Sequence, residues 1–449
     1  MKIIIIGAGE LGHLVAAKLC SLNHDVVIVD SQHSSLEHAG ESLDTKLLIG
    51  NGTSVETLKQ AGAQKADLIL ALSGDEAINV LSCILAKKLG TKRAICRVLS
   101  KQIFSPDDDI NLETFHIDAA FSPIDESASL IHSILQKRIL IQKLTFQNPE
   151  ARVDVVNIPL NSMVTGKQIR DIPAQELLMT IRIAAIIRKH ELVVPHGDTV
   201  LMPGDRLYVA GRRENVDAFT QWLEHDANVP IKRIVIAGTC PIAETLISQL
   251  TAEGLQINII ESDYAKAEKI LENSSKNLTI IQGESTNMDI LAEADAAGCD
   301  AFAALSDRDE NNILACLLAS RLGAKKVIAL TRTAEYMDIL PSIEQAGCWF
   351  NTTQIAANTA FRLMSSGTIL VDPELHAINA KLVELTLTRR SQYTGKAIAD
   401  CFMPKNFLIA MILRGDEVIS PNGQTVLQEN DLLIAIAHAS DVNRIMKNL

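Results

Sequence analysis

MKIIIIGAGELG occupies residues 1–12, and KRIVIAGTCPIA returns at residues 232–243. The first copy is an apolar strand, Ile3–Ile6, that runs into Gly7-x-Gly9-x-x-Gly12 and then into a helical stretch over Leu11–Leu22. In this pattern the first glycine permits a tight turn, the second lets the backbone approach a pyrophosphate, and the third lets the helix pack close to the sheet. The helix start offers unpaired N–H groups and the positive end of its dipole to phosphates. A lone GxGxxG occurs by chance, but here it follows a strand and opens a helix, the context the chemistry needs.

Asp30 ends the next apolar run, Val26–Val29, where an acid accepts hydrogen bonds from ribose hydroxyls. A solvated strand-end aspartate would look the same alone, but the glycines ahead of it favour the binding reading. Ser31-Gln32-His33 follows without an arginine to meet a 2′-phosphate, so NAD is favoured over NADP. ATP or ADP could use the same ribose and phosphate contacts.

Working outward, strand signals recur at Lys46–Ile49, Leu68–Leu72 and Ala94–Val98, with a helix over Glu76–Leu89 that Gly90 stops. These runs are apolar on both faces, as in a parallel sheet covered by helices on both sides. Phe121-Ser122-Pro123 ends a strand and opens a helix that reads through about Ile139. The series returns in the second half. Asp30 falls on Glu261, and after a two-residue insertion Gly50, Asp67, Ser73, Asn79 and Gly90 fall on Gly283, Asp300, Ser306, Asn312 and Gly323.

A smaller unit follows each copy. Val153–Ile158, Thr165-Gly166-Lys167, Ile181–Arg188, Glu191–Pro195 and Asp205–Ala210 have counterparts at Val383–Leu387, Thr394-Gly395-Lys396, Phe407–Leu413, Glu417–Pro421 and Asp431–Ala437. The tetrads Pro195-His-Gly-Asp198 and Pro421-Asn-Gly-Gln424 read as hairpin turns. The order is therefore A-B-A-B by internal duplication. It gives two α/β, Rossmann-like, doubly wound parallel-sheet domains at 1–144 and 230–374, each followed by a small α+β domain, at 145–229 and 375–449.

In the first A unit the candidate ligand contacts are Gly7, Ala8, Gly9, Glu10 and Leu11 at the turn, and Asp30. Strand ends on the same edge add Asn51, Gly52 and Thr53 toward the adenine, Ser73 and Gly74 toward ribose or phosphate, and Arg97 toward the phosphates. A surface ion pair is an equal reading of Arg97. In the second A unit the corresponding residues are Gly238, Thr239, Cys240, Pro241, Ile242, Glu261 and Ser306. There Cys240 replaces the glycine of close approach, Pro241 removes an N–H and Ala243 replaces the packing glycine. Leu330 stands at the Arg97 position, with Arg332 two residues on. A weak, altered or vacant site and a structural pseudo-site are both open readings.

Composition narrows the classes. A net charge of −12 and 4% aromatics speak against a nucleic-acid partner. No apolar run is long enough to span a bilayer, so a membrane connection would run through a partner protein. The eight cysteines form no CxxC pair and read as reduced core thiols in a cytoplasmic protein. The eleven histidines form no HxxxH or HxH pair, so no metal site is expected, and His33 and His38 read as solvent-facing. No catalytic constellation stands out, which disfavours the alternative of an NAD-dependent oxidoreductase. A nucleotide-binding scaffold with a non-transport partner is a third reading.

The whole chain resembles the tandem RCK proteins of the TrkA type, the NAD-binding regulatory components of Trk potassium-uptake systems. The residues that carry the resemblance are Gly7-Ala-Gly-Glu-Leu-Gly12, Asp30, Gly50-Asn-Gly-Thr53, Ser73-Gly-Asp-Glu76 with Asn79, and Arg97. Thr-Gly-Lys at 165–167 and 394–396 and Pro203-Gly-Asp-Arg-Leu207 add to them. Asn51 stands where the family commonly has an acid. The resemblance implies an RCK-N, RCK-C, RCK-N, RCK-C order and a non-enzymatic regulator that binds NAD(H) or ATP/ADP. It further implies a homo-oligomeric ring at the inner face of the cell membrane, joined to an integral-membrane Trk-type potassium transporter subunit. It also makes the helix after Pro123 the crossover element between RCK-N lobes, with Ile131, Ile134, Leu135 and Ile139 as its packing stripe.

Overall fold

The computed structural model describes residues 1–43, 45–104, 111–137, 139–146, 148–159, 162–189, 191–224, 231–272, 277–333, 335–336, 340, 347–364, 369–370, 380–389, 391–404 and 407–446. In chain order the first nucleotide-binding domain contains β1 (Lys2–Ile6), α1 (Glu10–Ser21), β2 (Asp25–Asp30), α2 (His33–Ser42), β3 (Lys46–Ile49) and α3 (Val55–Ala61). It continues with β4 (Leu68–Ala71), α4 (Glu76–Leu89), β5 (Arg93–Arg97), β6 (Ala119–Phe121) and α5 (Pro123–Leu135). The first small domain has β7 (Leu140–Thr145), β8 (Ala151–Asn157), α6 (Gln175–Thr180), β9 (Ile181–Arg188), β10 (Glu191–Val193), β11 (Arg206–Arg212) and α7 (Arg213–Glu224).

The second half repeats this order. Its larger domain has β12 (Arg233–Ala237), α8 (Pro241–Ala252), β13 (Gln256–Glu261), α9 (Tyr264–Glu272), β14 (Leu278–Gln282), α10 (Met288–Glu293), β15 (Ala301–Ala304), α11 (Asp309–Leu322), β16 (Val327–Thr331), β17 (Gly347–Asn351) and α12 (Thr352–Met364). The small domain has β18 (Ile369–Leu370), β19 (Ala380–Thr386), β20 (Phe407–Arg414), β21 (Glu417–Ile419), β22 (Leu432–His438) and α13 (Ala439–Met446).

Both large sheets have the doubly wound order, β3-β2-β1-β4-β5-β6 and β14-β13-β12-β15-β16-β17. The strand order reverses beside β1 and β12, so a crevice opens there at the carboxyl edge of each sheet. The four isoleucines of β1 are buried on both faces, which is why this strand can be central. Local chemistry sets the helix ends. Asp75 caps α4 by accepting the Ile78 N–H at 3.0 Å, and Gly90 closes it at φ +120°, a conformation that favours glycine.

The chain forms two compact units, residues 1–129 with 351–365, and residues 130–350 with 366–449. In the first unit, α12 completes the core of the first large domain. Its Ala356, Ala357, Ala360, Phe361 and Met364 pack with Leu11, Val15, Ile28 and Phe121. Arg93 holds the end of α12, donating to the Met364 and Leu363 carbonyls at 3.0 and 2.9 Å. These are carbonyls that a helix terminus leaves without partners, at the negative end of its dipole.

In the second unit the repeat counterpart of Arg93, Lys326, does the same for the end of α5. Its buried ammonium donates to the carbonyls of Ile134, Lys137 and Leu140 at 2.7, 2.7 and 2.6 Å. An ammonium has three N–H donors, so all three are used. Burial pulls this lysine down to about 8, against the opposing pull of Cys348 and Glu224. Ile131, Ile134 and Leu135 are buried within the chain. The helix stops at Leu135, however, and Ile139 lies outside it, because the Lys326 bonds turn the chain into β7.

The small sheets are antiparallel, in the order β10-β9-β11-β8-β7 and β18-β19-β22-β20-β21. They share one apolar core in the second unit, with Val153, Val155 and Tyr208 facing Leu382, Met411, Ile434 and Ile436. Because β7 pairs with β8, the first small sheet begins at Leu140, ahead of the division at 144/145. Likewise β18 pairs with β19, ahead of 374/375. The two tetrads form tight turns, with Thr199 and Thr425 N–H groups donating to the His196 and Asn422 carbonyls. Contrary to the hairpin reading of the sequence, they do not join paired strands. The hairpins lie one step earlier, at β9–β10 and β20–β21. Among the described residues, no helix is long and apolar enough to cross a membrane.

Candidate functional site

The first crevice is built where β1 turns into α1. Gly7 has φ +101°, and a Cβ there would come within 2.8 Å of the Ser73 backbone. A Cβ on Gly12 would fall 1.9 Å from the Gly7 carbonyl oxygen, so only glycine lets α1 start this close. Gly9 faces open space, leaving a bare backbone at the helix start, between Ala8 and Glu10. Leu11 is buried in the core and anchors the turn from below.

Asp30 ties β2 to this turn. Its Oδ2 accepts the Ala8 N–H at 2.7 Å, and its Oδ1 accepts the Gln32 N–H at 2.8 Å. An ionised carboxylate offers about four lone-pair positions, so acceptor capacity for two ribose hydroxyls is left. Arg97 ends β5 with its guanidinium half-buried and one 3.4 Å contact to the Leu72 carbonyl. Burial pushes its pKa down, but a guanidinium stays charged. Among the described residues it makes no ion pair, which favours the phosphate reading over the surface-pair reading.

Other candidates have structural work. The Asn51 side chain turns back to accept from the Thr53 N–H and hydroxyl at 2.9 and 2.8 Å. Gly52 is buried, and a Cβ there would meet Ile6 at 2.5 Å, so packing alone already requires a glycine here. Ser73 donates its N–H and hydroxyl to Asn79 Oδ1 at 2.9 and 2.8 Å. Asn79 in turn donates to the Ser73 and Arg97 carbonyls at 2.9 and 3.0 Å. This buried asparagine thus pins the ends of β4 and β5 together, and its role was not read from the sequence. Gly74 is exposed beside it. His33 and His38 are exposed.

The second crevice keeps the turn and changes the cradle. Gly238 has φ +90° and lies against Ser306 as Gly7 lies against Ser73. Cys240 has nearly the backbone of Gly9, with φ −68° and ψ 165° against −67° and −179°. Its side chain is buried, burial raises its thiol pKa, and its N–H is committed to the Leu305 carbonyl at 3.2 Å. Pro241 starts α8 without an N–H, followed by the buried Ile242. Ala243 carries the Cβ that Gly12 has no room for, so the second turn cannot repeat the contact between helix and turn made in the first. Glu261 accepts from the Thr239 hydroxyl, where Asp30 accepts a backbone N–H, and from the Asp263 N–H at 2.8 Å.

Space remains there. A cavity of about 240 Å³ is lined by Thr239, Glu261, Asp263, Lys266, Ser306 and Arg308 among others. Sequence reading missed Asp263, Lys266 and Arg308, which lie on loops and helix starts without a motif of their own. Arg332 pairs with Asp307 at the rim. Burial would raise the Asp307 pKa, but Arg332 and Lys266 outweigh it and hold the carboxyl below its usual range. Asn312 repeats the Asn79 clamp, binding Ser306 and the Leu330 carbonyl at 2.7–3.0 Å.

Comparison with known proteins agrees with this duplicated plan. The TrkA-N domain family matches residues 3–123 and 234–348, and the TrkA-C domain family matches residues 155–224 and 382–449. A Trk system potassium uptake protein TrkA homolog of Archaeoglobus fulgidus is 29% identical over 447 residues, covering 99% of both chains. The Trk system potassium uptake protein TrkA of Halomonas elongata is 27% identical, covering 97% of this chain and 95% of its own. Among solved structures, the GsuK RCK domain superposes with a TM-score of 0.61 at 17% identity, covering 99% of this chain and 94% of that one. The GsuK channel bound to NAD gives 0.60 at 19%, covering 99% and 78%. At these identities the structures speak to fold alone. The tandem TrkA-N and TrkA-C domains, and relatives of matching length, show that the chain belongs to the TrkA family of potassium-uptake regulatory proteins, which are not enzymes.

Proposed function

We propose that this chain binds NAD(H), or ATP/ADP, in its first crevice and passes the occupancy of that site to a membrane-embedded potassium transporter subunit as a change of shape. The observation that carries the reading is the joint geometry of the Gly7–Gly12 turn and Asp30. The turn presents bare backbone at a helix start, and the carboxylate beside it keeps free acceptor positions. In this reading Gly7, Ala8, Gly9, Glu10 and Leu11 supply the backbone cradle, Asp30 holds the ribose and Arg97 meets the phosphates. Asn51, Gly52, Thr53, Ser73 and Gly74 form the walls.

The GsuK channel shares the fold and binds NAD, which supports the choice of ligand. The second crevice, with Gly238, Thr239, Cys240, Pro241, Ile242, Glu261 and Ser306, is a subsidiary site or a spacer. A ring of several copies on the cytoplasmic face of the membrane would give the ligand a shape to select. A ligand moves such an equilibrium only by its difference in affinity between the two states.

Potassium uptake in membrane vesicles carrying the chain with its transporter tests this. Uptake changes on adding NADH or ATP, and Asp30→Ala abolishes the dependence. Wild-type uptake that ignores both nucleotides contradicts it.

A further inference from the structure

We propose that Glu10 sets how much phosphate charge the first crevice accepts, favouring a diester pyrophosphate over a triphosphate. The proposal rests on the nucleotide-binding reading above. Glu10 is the first residue of α1, at the helix end that faces the phosphates. Its backbone N–H favours an anion there, but its side chain carries the opposite instruction.

The structure fixes where that carboxylate lies. Glu10 Oε2 accepts from the Thr353 hydroxyl at 3.4 Å, and Thr353 is the second residue of α12. The N-termini of two helices therefore meet at this carboxylate, and its charge offsets part of the positive potential that each would offer a phosphate.

The other charges of the crevice sharpen the effect. Arg97 is the only lysine or arginine among the residues assigned to the site. The remaining carboxylates on this edge have other partners. Asp30 serves the turn and the ribose, Asp75 caps α4, and Glu76 accepts the Leu99 N–H. One guanidinium suits the roughly two negative charges of a dinucleotide pyrophosphate and is outweighed by the roughly four of ATP, with Glu10 adding repulsion. In the second crevice Pro241 holds the equivalent position, and the acid of the first turn of α8, Glu244, stands three residues on and pairs with Lys269.

The test is Glu10→Gln in the full-length protein, which keeps size and helix start and removes one charge. NADH and magnesium-free ATP are each titrated against wild type and variant. The affinity for ATP rises about tenfold and that for NADH less than about twofold, since repulsion scales with ligand charge. The ATP gain shrinks as salt is raised from low ionic strength. No change for ATP, or an equal change for both ligands, overturns the proposal. Asp30→Ala separates the two readings. If it weakens binding of both ligands while Glu10→Gln shifts nothing, only the role of Glu10 fails. If it leaves both ligands bound as in wild type, the site itself is wrong and the Glu10 proposal falls with it.

Discussion

At the ends of β4 and β15, a serine and a buried asparagine make the same set of hydrogen bonds, with distances agreeing within about 0.1 Å. At the ends of β1 and β12 the two domains part. Gly9 became Cys240, Glu10 became Pro241, Gly12 became Ala243, and the backbone bond to Asp30 became a hydroxyl bond to Glu261. Duplication has thus kept what holds the sheet edge and changed the turn and helix start that the proposed function assigns to a phosphate. The frame is needed in both copies for folding, whereas the cradle is needed only where a ligand is bound.

The largest effect expected from this contrast is on stability, and it should be the same in both copies. Asn79→Ala and Asn312→Ala each remove the partner of a half-buried N–H, a serine hydroxyl and two carbonyls, at a cost of about 3 kcal/mol. Hydrogen exchange resolved by peptide should show the β4–β5 edge opening in the first variant and the β15–β16 edge in the second. A variant that is silent in one copy would break the equivalence.

A smaller effect distinguishes the amino edges of the sheets. Asp67 and Asp300 are repeat counterparts, and each bonds a lysine and the backbone at the start of its central strand. Burial would raise Asp300, but Lys325 and the N–H groups of Lys232 and Arg233 bring it down to about 2. A depressed folded-state pKa contributes stability that is present above the unfolded value and lost as pH falls through the folded one. Acid unfolding of the second unit should therefore steepen between about pH 4 and pH 2. Asp300→Asn should flatten that segment by less than about 1 kcal/mol, given the partly exposed Lys325 partner. An unchanged pH profile in the variant would remove this contribution.

Much of this was legible in the sequence because strand, turn and helix signals agree at each level. The isoleucine run, the glycines and Asp30 lie within 30 residues and need no distant partner. What escaped reading depends on the rest of the chain. The apolar stripe of α12 is plain, but a stripe does not say which sheet it will cover, and it covers that of the first domain. The end of α5 at Leu135 is set by Lys326, far along the sequence. Gly52 and Ser73 look like ligand contacts because small residues serve close ligand approach and close packing alike. Here packing against Ile6 and bonding to Asn79 add a structural role that the sequence did not show.

The central claim, that the two crevices have separated in function, is tested most directly by NADH titration of the full-length chain with Asp30→Ala and Glu261→Ala. The account predicts that Asp30→Ala weakens binding about thirtyfold, the loss of hydrogen bonds to a charged acceptor, while Glu261→Ala leaves the affinity within about twofold. Equal losses in both variants, or a loss confined to Glu261→Ala, would contradict it.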